Sequence, residues 1–192
     1  MTNEEHYITV VSGLPRSGTS LMMQMLTAGG IPPLTDNLRQ ADEDNPRGYF
    51  EFERVKQLKQ DKAWLNDAAG KAVKIVHLLL KDLPPTQQYR VIFMRRNMNE
   101  ILASQQKMLQ RSGRSATAMN PELLAQNFQT QVTQILQWLA QQPNFRTLEV
   151  WHHDLIKAPL AQVSALTAFL ARPLNAEAMV AAVDPNLHRN RS

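Results

Sequence analysis

The chain has 192 residues, 43% hydrophobic and 20% charged with a formal net charge of +4, which suits one soluble domain that buries roughly 70% of the surface its unfolded form would expose. Only 7 Gly and 11 Pro occur, which excludes disordered, collagen-like and low-complexity classes, and the absence of Cys removes disulfides, thiolate metal sites and Cys nucleophiles and suits a reducing compartment. The opening MTNEEHYITVV carries two acids and a short apolar run at 8–11, so neither a signal peptide nor a membrane span is expected and the cytoplasm is the default location.

In chain order, a β-branched run predicts a strand over 7–12 (YITVVS), bounded by Gly13. A helix follows, with Leu21, Met22, Met25 and Leu26 forming a broad apolar stripe and Gly29-Gly30 then Pro32-Pro33 ending it. The turn-rich, acidic stretch 35–48 reads as a surface excursion. Residues 71–76 (KAVKIV) and 89–94 (YRVIFM) read as strands two and three, with a short helix and the stop Pro84-Pro85 between them. Asn97, with Glu100 three residues on, predicts a capping box that opens a helix to about 110. The aperiodic 111–118 (RSGRSATA) is expected to be a lid-like loop. A long helix over 121–141 carries Leu124, Phe128, Val132, Ile135 and Leu139, 145–151 (FRTLEVW) is a fourth strand, and helices over 160–170 and 176–183 close the chain. This alternation predicts a three-layer α/β fold, a central parallel sheet of about four to five strands with helices on both faces, binding its ligand beyond the carboxyl ends of the strands.

The loop Gly13-Leu14-Pro15-Arg16-Ser17-Gly18-Thr19-Ser20 places G-x-x-x-x-G between a predicted strand and a predicted helix. Such a loop aims backbone N–H groups and the positive end of a helix at an anion, with the hydroxyls of Ser17, Thr19 and Ser20 adding donors. A nucleoside-triphosphate loop needs Lys where Thr19 stands. The cation here is Arg16, whose planar fork suits an oxyanion that no metal bridges.

Charge supports the same reading. Residues 90–114 carry six cations against one acid, a concentration that favours a compact anion site over a nucleic-acid face, which spreads its basic residues. A magnesium-dependent phosphoryl-transfer enzyme of this architecture ends an apolar strand in Asp, whereas VIFM ends in Arg95-Arg96. Ser104 lies on a helix stripe with Ile101 and Met108, where its hydroxyl needs a partner. A ligand and the carbonyl four residues back both qualify.

PRSGTS at 15–20 resembles the loop of sulfotransferases that use 3′-phosphoadenosine-5′-phosphosulfate (PAPS), and the order of elements is similar over most of the chain. The resemblance implies one P-loop sulfotransferase-like domain over 1–192, a small bacterial member that releases PAP. It implies that Arg16, Ser17, Gly18, Thr19 and Ser20 hold the 5′-phosphosulfate, with Arg16 beside the bridging oxygen, and that Arg96 and Ser104, eight residues apart, hold the 3′-phosphate. Arg189 and Arg191 stand where many members close that site with a late basic loop, although the glycine of that loop is missing. Met98 stands where the family often has Pro.

Sulfuryl transfer needs in-line positioning, neutralisation of the leaving phosphate and a base for the acceptor, and no metal is expected. His152 and His153 are adjacent on what reads as a strand, so their rings should face opposite ways. The candidate bases are Glu51, Glu53 and His77. Glu51 follows the turn Pro46-Arg47-Gly48 among Tyr49, Phe50 and Phe52, where partial desolvation would raise a carboxylate's pKa, and some family members are similar in placing a glutamate there. Cytosolic members use Lys-x-His near strand two, and Lys74 to His77 is one residue too long for that. The expected acceptor is a small molecule or peptide, with neither nucleic acid nor membrane as partner. A kinase with a degenerate loop and a non-catalytic nucleotide-binding module are the alternatives.

Overall fold

Strand β1 (Tyr7–Gly13) is buried along its whole length, as its continuous apolar run requires, because a central parallel strand is covered on both faces. The computed structural model describes residues 7–36, 38–39, 41–42, 45, 48–111 and 120–183. Among them β1, β2 (Ala72–Lys74), β3 (Gln88–Arg95) and β4 (Phe145–Trp151) form one parallel sheet in the order β2-β1-β3-β4. The order reverses at β1/β3, which puts the crevice for a ligand between the carboxyl ends of those two strands.

Alternation along the strands splits the core in two. Ile8, Val10, Val73, Val91 and Phe93 pack on one face with Trp64, Leu80, Val132, Ile135 and Leu139, under α2 (Met98–Arg111) and α3 (Pro121–Ala140). Val11, Ile92, Met94 and Val150 pack on the other with Met22, Met25, Leu26, Val163, Leu166 and Leu170, under α1 (Thr19–Ala28), α4 (His152–Lys157), α5 (Pro159–Leu170) and α6 (Ala176–Ala181). Helices thus cover both faces, in agreement with the sequence pattern.

Three local expectations are corrected. β2 is three residues long, not six, because beyond Lys74 the Ile75 amide still donates to Val11 O (3.0 Å) but its carbonyl takes the Ser12 hydroxyl (2.7 Å) before the chain turns into a 3-10 helix, His77–Asp82. The capping box at α2 does not form. Asn97 Oδ1 accepts from the Asn99 amide (2.9 Å), but the Glu100 carboxylate takes the Arg96 guanidinium instead, Nε to Oε2 at 2.7 Å, since a cation is a stronger partner than one backbone amide. His152 and His153 open a helix the sequence does not announce. His152 turns inward and is buried, while His153 stays exposed beside Asp154 at 3.0 Å. No helix among the described residues is long and apolar enough to cross a membrane.

Candidate functional site

The loop from β1 to α1 is built around two positions that only glycine fits. At Gly13 (φ +146°) a Cβ would lie 2.6 Å from both Met94 O and Ser17 Oγ, and at Gly18 (φ +102°) it would lie 2.6 Å from His152 Cδ2. Between them Arg16 holds φ +68°, left-handed backbone that a long side chain adopts only under constraint. The Ser17 amide closes a turn onto Leu14 O at 3.2 Å. Gly18 is the N-cap of α1, with no side-chain cap and no acid in the first turn, so the opening amides have no intrahelical acceptor and face the cleft with the helix's positive end. Thr19 and Ser20 line that cleft. Ser17 does not. It is fully buried below the loop, and its Oγ has no hydrogen-bond partner.

Arg96 enters from the end of β3. Its Nε donates to Glu100, its Nη1 donates to Arg16 O at 3.1 Å, and Arg16 Nε donates to Ser104 Oγ at 2.8 Å. The structure therefore brings Arg16, Arg96 and Ser104 together, and it answers the local question at Ser104: the buried hydroxyl's partner is Arg16. The other cations of 90–114 do not all join them. Arg90 is buried at the far half of β3, its guanidinium 4.3 Å from the Tyr7 ring centroid and bonded to Phe169 O. Arg95 pairs with Glu149 and stacks 4.9 Å from the Trp151 ring centroid. Among the described cations of 90–114, Arg96, Lys107 and Arg111 line the cleft.

That cleft has a volume of about 1160 Å³. The same cleft is lined by the segment carrying Glu51 and Glu53, pinned by Thr35 Oγ1 donating to Glu51 O (2.8 Å) and the Glu53 amide donating to Asp36 Oδ2 (2.6 Å). Both glutamates line the cleft, with Phe52 between them extended and Glu53 opening a 3-10 helix, Glu53–Gln57. Glu51 is not isolated among aromatics. Its Oε1 lies 2.7 Å from Arg39 Nη1 and 3.7 Å from Lys74 Nζ. His77 stands apart, buried with its Nε2 3.0 Å from Gln131 Oε1 and outside the cleft lining.

Lys74, at the end of β2, is visible in the sequence only through a spacing that does not match. Burial pulls its pKa from 10.5 down to about 8, against the opposing pull of Glu51, and its Nζ donates to Tyr49 O. Tyr49 moves the other way, to about 12, through burial and then its 2.7 Å bonds to Asp42, so its phenol stays protonated. Sequence reasoning also misses a wall of the cleft made by Leu21, Gln24, His152 and Ile156. Gln24 lies one helical turn beyond Ser20, and His152 directly follows a parallel strand's carboxyl end, both places where the fold aims side chains at a ligand. Arg189, Arg191, the Pro46-Arg47 turn and 112–118 lie outside the described residues, within which no set of three His, Asp or Glu gathers as a metal site.

A family model described as the sulfotransferase domain matches residues 8–186. No curated protein matches the chain. Among solved structures, the sulfotransferase domain from the curacin biosynthetic pathway is 17% identical with a TM-score of 0.55, covering 93% of this chain and 78% of that one. A sulfotransferase from Mycobacterium avium is 14% identical with a TM-score of 0.56, covering 98% of this chain and 69% of that one. A mouse sulfotransferase complexed with PAP is 15% identical with a TM-score of 0.50, covering 93% of this chain and 63% of that one. At these identities the likeness is one of fold.

Proposed function

The chain belongs to the sulfotransferase-domain family, and on that premise we propose how its residues divide the work of PAPS-dependent sulfuryl transfer. The residues fit the co-substrate: two glycines leave a cradle where a Cβ would collide, the first-turn amides of α1 lack intrahelical acceptors, and two guanidiniums border the opening. PAPS supplies an activated sulfuryl group there. The amides around Gly18, Thr19 and Ser20 hold the 5′-phosphosulfate, Ser17 supports the loop from below, and Arg16 meets the negative charge that grows on the bridging oxygen as it leaves. Arg96, with Ser104, reads the 3′-phosphate. Leu21 and Ile156 supply apolar contact and Gln24 and His152 polar groups for the purine.

Across the cleft, Glu51 takes the proton of the acceptor hydroxyl or amine as the new bond to sulfur forms and the bond to the bridging oxygen breaks. Arg39 and Lys74 aim its carboxylate. His77, tied to Gln131 away from the cleft, does not take this role. Arg39, Glu51, Glu53, Lys56 and Lys74 line this side, a surface that suits a polar small molecule or peptide better than an apolar one.

The observation that carries the assignment is the run of bonds from Arg96 to the Arg16 carbonyl and from Arg16 Nε to Ser104, which puts paired cations where a magnesium-dependent kinase needs an acid. Calorimetric titration tests it. PAP is expected to bind without magnesium and more tightly than ATP, with or without magnesium, whereas tighter binding of magnesium–ATP would return the kinase reading. Transfer of radiolabelled sulfate to a panel of polar acceptors then separates an enzyme from a binding module.

A further inference from the structure

Arg96 reads a phosphate better when its guanidinium plane is already fixed, because a free arginine side chain loses several rotamers on binding and gives back part of the contact. Two of its edges are already committed. Nε is bonded to Glu100 and Nη1 to Arg16 O, with the side chains of Arg96 and Glu100 only 10% and 9% exposed. The chain of bonds then closes on itself, for Arg16 Nε reaches Ser104 Oγ, and Ser104 lies one helical turn beyond Glu100 on α2. A buried carboxylate beside an anion-binding arginine is costly for anion binding if charge alone counts, since it cancels the arginine's field. Its presence calls for a geometric reason.

We propose that Glu100 is a positioning residue, which fixes the Arg96 guanidinium through Nε so that one edge holds the phosphate loop at the Arg16 carbonyl and the remaining edge addresses the 3′-phosphate. This rests on the PAPS reading and deepens it. Glu100 is not among the residues that line the cleft; it acts through Arg96, and through Arg96 on the left-handed backbone of Arg16 that shapes the loop.

The sign of one measurement separates geometry from charge. Glu100→Ala and Glu100→Gln both remove the negative charge, so a purely electrostatic role makes both variants bind PAP more tightly. Positioning makes them differ, because glutamine keeps an oxygen that accepts from Arg96 Nε and alanine does not. The readout is selectivity: the ratio of the dissociation constants of AMP, which lacks the 3′-phosphate, and PAP, by calorimetry on the full chain. We expect Glu100→Ala to lower that ratio about tenfold, the low end for one charge-assisted hydrogen bond, and Glu100→Gln to restore most of it. A melting temperature accompanies each variant, since a merely structural loss weakens AMP and PAP alike and leaves the ratio unmoved. Selectivity in Glu100→Ala equal to or above that of the unmodified chain overturns the inference, as does a glutamine variant that falls as far as the alanine one. An unmodified chain with no preference for PAP over AMP overturns the PAPS reading itself.

Discussion

Glu51 shares one oxygen between Arg39 and Lys74, and this contact set decides how its substitution should behave. Glu51→Gln keeps the volume and an oxygen for Arg39 but loses the proton acceptor, so turnover with a good acceptor should fall by roughly 10²- to 10⁴-fold. PAP affinity should hold, because no contact of Glu51 reaches the phosphate loop. Initial rates and a PAP titration on the same preparation check both halves, and an unchanged rate removes Glu51 from the chemistry. Lys74 gives a pH test. Its pKa in the folded chain, about 8, lies below the ordinary 10.5, so between those values the unfolded chain binds the extra proton and stability rises with pH. Above 10.5 the buried amine is neutral at no cost. As pH falls through 8 it must charge in place, at a cost of at most about 3 kcal/mol from 1.36 kcal/mol per unit. Lys74→Met escapes that cost. The stability advantage of the methionine variant in urea unfolding should therefore be largest at pH 7 and shrink by pH 10, and an advantage that grows with pH contradicts the assignment.

The loop between β1 and α1 works as one element, and its glycines make demands that a glycine elsewhere does not. Gly18→Ala meets both left-handed backbone and the His152 ring at 2.6 Å, while at Gly30 (φ +100°) an added Cβ would meet nothing within 4 Å. Gly30→Ala should cost about 1 kcal/mol of stability from backbone strain alone and leave PAP binding untouched. Gly18→Ala should cost about 1–3 kcal/mol and also weaken PAP at least tenfold, because relief means moving the helix start that offers the amides. Denaturant curves paired with PAP titrations distinguish them. This loop is legible in the sequence because all its signals are local: glycine spacing, a β-branched run before it and an apolar helix stripe after it. Arg96 is legible too, as a cation ending an apolar strand. Glu100 reads in the sequence as half of a capping box, because its choice of Arg96 depends on where β3 delivers that guanidinium. Helix α4 escapes the sequence because His152 and His153 carry no start signal of their own. The ties around Glu51 are beyond its reach altogether, since Arg39, Tyr49 and Lys74 meet only through the fold, with Arg39 stacked 3.4 Å from the Tyr49 ring centroid.

Across the whole molecule, the cleft is bordered by elements from both cores. α1 belongs to one and α2 to the other, and the 51–53 segment joins them at the end of β2. A ligand bridging the loop and Arg96 therefore binds the assembled sheet and has no site on the unfolded chain, so binding adds directly to the free energy of unfolding. At one hundred times its dissociation constant a ligand contributes about 2.7 kcal/mol. For a chain of this size each kcal/mol is worth about 2–4 °C, so PAP should raise the melting temperature by roughly 5–10 °C. Adenosine 5′-phosphosulfate at the same concentration should raise it less, since it makes no contact with Arg96 through a 3′-phosphate. Arg96→Ala sharpens the comparison: both ligands lose the loop support that Arg96 gives at the Arg16 carbonyl, but PAP also loses about 1–3 kcal/mol of charge-assisted hydrogen bonding to its 3′-phosphate, so its shift should shrink more than that of adenosine 5′-phosphosulfate. Differential scanning fluorimetry with both ligands on both proteins reads this out. If Arg96→Ala lowers the two shifts equally, the arginine holds up the loop without reading the 3′ group, and the strand-end cation loses its place in the cofactor site.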